Sequence, residues 1–293
     1  MKALVGPYQE NGLGRNFKMY NKITLLGNAQ DAGRPQIGCT QKCCEDARLN
    51  LDLVRNPVSL GLHGDKFGIV EITKNLTNQL GMVNNPELSE VWLTHAHLGH
   101  IEGLGQLGRE SLNSKNIKLR CSESVVDYVM QHPMWKKLVV RGNITFDKYS
   151  SEGILPIKVP HRSQDFDTHA LLFRGKNNNL LFLPDHDTWE ETLELVGYEN
   201  PKEWFSSLDV DIVLLDGTFW NNNELKSRVQ SRVPHPPVTE TIDLIGDRKE
   251  NDPRIIFVHL NHTNPLHYPA SDEYQKLTSL GWEIGFEGME FNL

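Results

Sequence analysis

Three histidines fall within six positions in Val91-Trp-Leu-Thr-His95-Ala-His97-Leu-Gly99-His100, directly after a short apolar run. The run reads as a strand, and the Ile-Glu-Gly-Leu that follows reads as the start of a helix. Each neutral imidazole carries a donor and an acceptor that must both be satisfied, so three at one strand-to-loop turn are hard to bury as ordinary core residues. A shared cation removes that difficulty, because imidazole is the commonest protein ligand for zinc-like ions. The plainer alternative is a cluster of surface histidines. The spacing favours a metal centre.

The rest of the chain supplies a scaffold for such a centre. Lys22 to Gly27 reads as an opening strand running into the turn-rich segment 28–38. Segments 59–63 and 67–73 read as a hairpin across Gly64-Asp65. Short strands follow at 91–94, 154–159, 170–174 and 180–183. The nearly all-apolar runs 211–215 and 254–260 read as strands buried on both faces. Helices are expected at 77–80, 101–110, at 122–132 behind a Ser122 cap, and at 189–195, 237–245 and 272–280. A last edge strand is expected over 282–291. Hairpins first and strand–helix alternation later suit two packed sheets flanked by helices, a four-layer αββα sandwich of the α/β class.

The chain has 293 residues and no composition break or internal repeat, so one domain over 22–293 is expected behind a polar extension at 1–21. A net charge of -8 with scattered Lys and Arg argues against nucleic-acid partners. No apolar run approaches the roughly 20 residues a membrane span needs. The first 20 residues lack an apolar signal core. Four cysteines, three of them bunched at Cys39, Cys43 and Cys44, do not make a disulfide framework, so a cytoplasmic setting is expected. The partner expected is a small-molecule substrate, and a homodimer is left open.

Metal-type residues recur at other strand ends: His161 after 154–159, Asp185-His186-Asp187 after 180–183, and His259 with His262 after 254–258. Ligand sites in α/β sheets gather where strand ends and loops converge, so these residues strengthen the first cluster. With them in view, the chain resembles the metallo-β-lactamase-fold superfamily, whose signature His-x-His-x-Asp-His opens a two-metal site. His95, His97 and His100 match, and Gly99 stands where the signature has aspartate. The resemblance implies one metal held by His95, His97 and His161 and a second by His100 and His262. Asp185 bridges the two, which makes Asp185 and His262 the catalytic pair. The loss of a carboxylate at position 99 implies a weaker second site, and Gly99→Asp is expected to raise the metal content. Four segments are closer to the pyrroloquinoline quinone biosynthesis protein B group: Leu26-Gly-Asn-Ala with Pro35-Gln36, residues 103–110, Leu215-Asp-Gly-Thr-Phe-Trp220, and His259-Leu-Asn-His-Thr-Asn-Pro-Leu266.

Related phosphodiesterases carry a cysteine-rich structural zinc knot, which implies a further zinc at Cys39, Cys43 and Cys44 with His259, or His267, as fourth ligand. Adjacent cysteines require a distorted turn to reach one ion, and free thiols beneath a loop are the alternative. Cys121 reads as a core thiol. Asp216 ends a buried strand and is expected to hydrogen-bond a histidine ligand from behind, or to bind backbone amides in the Gly217 turn. His186 reads as a neighbour of the site. His235, between two prolines, reads as part of a rigid loop near the mouth, with Trp135 and Trp220 as rim residues. The chemistry implied is a metal-dependent hydrolase using one or two Zn2+ ions, with iron or manganese as alternatives. An Fe(II)-dependent oxygenase in quinone-cofactor synthesis is the second reading. A degenerate, non-catalytic binder is the third.

Overall fold

Alternation of side chains along the strands decides the layering. A computed structural model describes residues 20–151, 153–225 and 233–293. The N-terminal extension expected over 1–21 lies, up to residue 19, outside the described residues. Among those described, the strands in chain order are β1 (Lys22–Gly27), β2 (Ser59–His63), β3 (Phe67–Val70), β4 (Leu88–Trp92), β5 (Ile117–Arg120), β6 (Ile144–Asp147) and β7 (Ile154–Val159). They continue with β8 (Thr168–Phe173), β9 (Leu180–Leu183), β10 (Ile212–Asp216), β11 (Arg254–Val258), β12 (Glu283–Ile284) and β13 (Glu290–Asn292). They form a seven-stranded sheet, β13-β1-β2-β3-β4-β5-β6, and a six-stranded sheet, β12-β11-β10-β9-β8-β7.

Three apolar clusters mark three interfaces. Leu180, Phe182, Ile212, Leu214, Ile256 and Val258 meet Ile23, Leu25, Leu60 and Leu62 between the sheets. The alternate residues Leu181, Leu183, Val213, Leu215, Ile255 and Phe257 face outward onto helices. Those helices are α6 (Trp189–Val196), α7 (Pro201–Ser207), α8 (Val238–Ile245) and α9 (Asp272–Ser279). The outer face of the first sheet is covered by α4 (Glu123–Gln131) and α5 (Pro133–Val140). Apart from the terminal Asp216 of β10 and Arg254 of β11, strands β9, β10 and β11 are apolar at every position because both faces are covered, as the sequence indicates. The architecture is the expected αββα sandwich.

Local departures have local causes. The helix expected over 101–110 is a short α3 (Leu98–Ile101) followed by a 3-10 turn through Glu102–Leu107, where Gly103 and Gly105 lower α-helical propensity. Segment 132–142 forms α5, with Pro133 in its first turn and Trp135 and Leu138 on its buried face. Trp135 is therefore a core residue and not a rim residue, and Trp220 joins the core beneath the second sheet. The single last strand expected over 282–291 is two strands in different sheets. Gly288, with φ +88, turns the chain between them, so β12 pairs with β11 and β13 with β1.

The carboxyl ends of β1, β4, β7, β9, β10 and β11 lie toward one edge, since β1 and β7 run antiparallel to neighbours that are themselves antiparallel to β3 and β9. The loop leaving β1 is fastened there. Asn28 and Ala29 donate their backbone N–H to the Asn56 carbonyl, and Gln30 N–H donates to the Leu260 carbonyl. Glu287 in turn accepts from the Asn56 backbone N–H and from its side-chain amide. Burial pushes the Glu287 carboxyl up to about 7 against those two donors. The native state therefore holds the Glu287 proton more tightly than the unfolded chain, and the stability this confers is present below about pH 4.5 and lost as pH rises toward 7. Relative to the native sequence, Glu287→Gln is expected to gain stability, on the order of 1–2 kcal/mol, between pH 5 and pH 8. Urea titrations at the two pH values check this; a pH-independent difference between the two proteins would refute it.

Candidate metal centre

The loop after β4 delivers His95 and His97, and the loop after β7 delivers His161. His95 Nε2 lies 3.0 Å from His97 Nδ1, and His161 Nε2 lies 3.2 Å from the same atom. Nitrogens around a tetrahedral zinc, each about 2.05 Å from the ion, are spaced by about 3.3 Å. The far sides of the rings are held. Thr94 Oγ1 is 2.9 Å from His95 Nδ1, and Asp187 Oδ1 is 3.1 Å from His161 Nδ1. Asp187 is held in place by the backbone N–H and the guanidinium of Arg162.

A second group adjoins the first. His100 Nε2 is 3.3 Å from Asp185 Oδ2 and 3.3 Å from Asp31 Oδ1, and His259 Nε2 is 3.8 Å from that Asp31 oxygen. Two of these residues' neighbours sit in left-handed backbone: Glu71, just past β3, with φ +61, and His259 itself, also at φ +61. Glu71 is fully buried; its Oε1 accepts the Thr94 N–H and its Oε2 lies 3.5 Å from His100 Nδ1. His235 enters from the segment before α8. Its Nδ1 is 2.7 Å from Asp216 Oδ2, while Thr218 Oγ1 donates to Asp216 Oδ1 and lies 2.8 Å from His259 Nδ1. Asp216 thus holds His235 directly and reaches His259 through Thr218.

Charge and satisfaction both point to a cation. Asp31 Oδ1, Asp185 Oδ2 and His259 Nε2 are buried without a hydrogen-bond partner; Asp31 groups with His100 and His259, and Asp185 with His95 and His100. Burial alone would raise the Asp31 and Asp185 carboxyls; the surrounding imidazoles, His100 and His259 among them, bring both below the usual range. Burial likewise opposes charging His100, and Asp185 and Glu71 outweigh it, raising the ring well above an ordinary histidine. A proton there answers the same need as a metal ion. The residues fit one.

The third cluster lies on the other side of the β1 loop. Cys43 and Cys44 occupy the first turn of α1 (Lys42–Leu49), and their sulfurs are 3.9 Å apart. His262 Nδ1 is 3.5 Å from Cys43 Sγ and 3.3 Å from Cys44 Sγ, with Cys39 Sγ completing the group. Tetrahedral zinc at about 2.3 Å from sulfur sets sulfur–sulfur edges near 3.8 Å and sulfur–nitrogen edges near 3.6 Å. The helical turn lets adjacent cysteines converge, so the distorted turn anticipated from sequence is not needed.

With this geometry, the comparisons with known proteins decide the family. Residues 74–260 match the family described as Beta-lactamase superfamily domain. The chain belongs to the β-lactamase superfamily. Within it, the sequence is 22% identical over 313 residues to the coenzyme PQQ synthesis protein B of Xanthomonas axonopodis pv. citri, covering 93% of this chain and 100% of that protein. The fold is similar to the crystal structure of Zn(2+)-bound PqqB from Methylobacterium extorquens, with a TM-score of 0.73, 16% identity, and coverage of 93% of this chain and 100% of that one. It is also similar to a diphosphatase from the PhnP family, with a TM-score of 0.64, 17% identity, and coverage of 93% and 97%. No helix among the described residues is long and apolar enough to cross a membrane.

For this superfamily member the structure brings His95, His97, His100, His161 and Asp185 together, and it exchanges the two late histidines. His262, expected beside His100, lies with Cys39, Cys43 and Cys44; His259, expected with the cysteines, lies with His100, Asp31 and Asp185. The physical reason is that β11 ends at Val258, and the left-handed backbone of His259 redirects its ring into the cluster. His267 hydrogen-bonds the Asn261 carbonyl at 3.1 Å and is in neither group. His235 belongs to the centre and not to its rim. Asp31 and Glu71 carry no motif, and only their placement at strand ends signals them. His259→Ala is expected to lower the metal held by the histidine–carboxylate groups while leaving the cysteine-bound ion in place, and His262→Ala to do the reverse. Metal content per chain, with thiol accessibility reporting on the cysteines, checks both; equal effects would count against two separate sites.

Proposed function

We propose that the chain is a metal-dependent hydrolase acting on a phosphoester, ester or amide of a small molecule. The convergence of His95, His97, His161, His100, His259, Asp31 and Asp185 carries this reading, since it assembles two adjoining cation positions sharing Asp185. Divalent ions bound there supply a water of lowered pKa and Lewis acidity toward a carbonyl or phosphoryl oxygen. His95, His97 and His161 would hold one ion, and His100, His259 and the carboxylates the other. Asp185 sits between the two groups, within 3.3 Å of His100 Nε2 and 3.8 Å of His161 Nε2. Its Oδ2 faces His100 and its Oδ1 faces His161, so the carboxylate would serve both groups.

His235 is the proton donor in this reading. Asp216 lies 2.7 Å from its Nδ1 and favours the protonated ring against burial, while ions bound beside it would oppose that charge. A leaving alkoxide or amine needs such a proton, and a leaving p-nitrophenolate does not. The cluster of Cys39, Cys43, Cys44 and His262 is assigned to a structural zinc.

Iron-dependent oxygen chemistry in cofactor synthesis is the second reading, supported by relatives named for PQQ synthesis and by the mixed imidazole–carboxylate set, which also suits Fe(II). The non-catalytic reading rests on the lost carboxylate at position 99, and the Asp31 carboxylate beside His100 and His259 speaks against it.

Metal removal and restoration test the proposal. The chelated protein is expected to lose hydrolysis of bis(p-nitrophenyl) phosphate and to regain it with zinc or manganese. Oxygen uptake requiring Fe(II), with no hydrolysis under any metal, would shift the assignment to the second reading. His235→Gln is expected to cost on the order of 100-fold or more in kcat with an alkyl leaving group and far less with p-nitrophenolate. An equal loss on both substrates would exclude the proton-donor role.

A further inference from the structure

The superfamily signature has aspartate where this chain has Gly99, and the space that side chain would fill is already taken. A Cβ built on Gly99 would lie 2.4 Å from the Asp31 Cα, 2.6 Å from its Cβ and 2.2 Å from its Oδ1. These are backbone and stem atoms of a pinned loop, so neither can yield cheaply. A side chain at position 99 and Asp31 in its present place exclude one another.

We propose that Asp31, delivered by the loop after β1, is the carboxylate ligand of the second cation position and replaces the one the signature would supply from position 99. The inference rests on the two-cation reading above and adds the residue that completes its second half. Asp31 Oδ1 faces both imidazoles of that half, 3.3 Å from His100 Nε2 and 3.8 Å from His259 Nε2, and it is buried with no hydrogen-bond partner. A buried oxygen without a hydrogen bond of good geometry is unfavourable, and a cation set between it and the two imidazoles would meet it. The side chain as a whole is 44% exposed, so only one oxygen is committed inward. The other side of Asp31 lines a cavity of about 490 Å³ shared with Phe219, Glu224, Cys39 and His262.

The loop is built to hold this position. Ala29 makes isolated β-bridges with both Pro57 and Leu260, and Gly33 N–H donates to the Gln30 carbonyl, closing a tight turn around Asp31. The bridge to Leu260 also ties Asp31 to the segment carrying His259. The carboxylate thus arrives by tertiary pairing, with no need of proximity in sequence to the three histidines.

The test is removal of the Asp31 carboxylate, read by metal content and by calorimetric titration of the metal-free protein with Zn2+. The native chain is expected to bind two ions at the histidine groups, both diminished by His97→Ala and His259→Ala. Asp31→Ala is expected to lose one of these, or to weaken the second binding event by 100-fold or more, with the melting temperature of the metal-free protein unchanged. Asp31→Asn, neutral but still an oxygen donor, should fall between. Gly99→Asp alone should add no metal, since its space is filled. Two ions retained at native affinity by Asp31→Ala would overturn the proposal, as would extra metal in Gly99→Asp. If Asp31→Ala does not fold, Asp31→Asn decides alone. A native chain that binds fewer than two ions at the histidine groups would instead sink the two-cation reading itself.

Discussion

Buried carboxylates and imidazoles brought together are tolerable only if each finds a partner, and at this edge a cation would serve several of them at once. Asp31, Asp185, Glu71 and Asp216 stand among His95, His97, His100, His161, His235 and His259, all drawn from strand ends or the turns beyond them. The hydrogen bonds behind the rings, from Thr94, Asp187, Thr218 and Asp216, turn them inward and leave their other nitrogens converging. The surrounding fold serves this convergence. Two sheets with fully covered faces fix the strand ends, and the loops have little freedom left.

The architecture was legible in the chain because apolar runs of strand length and helical starts are local signals. The histidine motif was legible for the same reason: its ligands are neighbours in sequence. Two features escaped. His259 and His262 are three apart, so an unbroken strand would turn them to opposite faces; the strand instead ends at Val258, and nothing in the letters announces the left-handed turn at His259. Asp31 escaped because its role depends on a contact with Gly99 across the fold. The apolar aromatics Trp135 and Trp220, read as rim residues, are core residues because helices and turns form where loops were expected.

Position 99 shows how a departure from a signature can mislead. Glycine there looks like loss of a ligand and of an anionic charge. In the folded chain it is the vacated place that admits Asp31, and the count of carboxylates near His100 and His259 is not reduced. The cysteine cluster carries a parallel lesson. Consecutive cysteines look poorly spaced for one ion until the first turn of α1 brings their sulfurs to 3.9 Å.

The two groups of ligands are built from the same pair of segments. Residues 31–44 contribute Asp31 to one and Cys39, Cys43 and Cys44 to the other, while residues 259–262 contribute one histidine to each. The short stretch Leu260-Asn261 is therefore a spacer between two coordination spheres. Lengthening or shortening it by a single residue would not be absorbed as loop slack, because both ends are anchored. The error would be passed to one sphere or the other, so the register of this connection is as much a part of the chemistry as the ligands themselves.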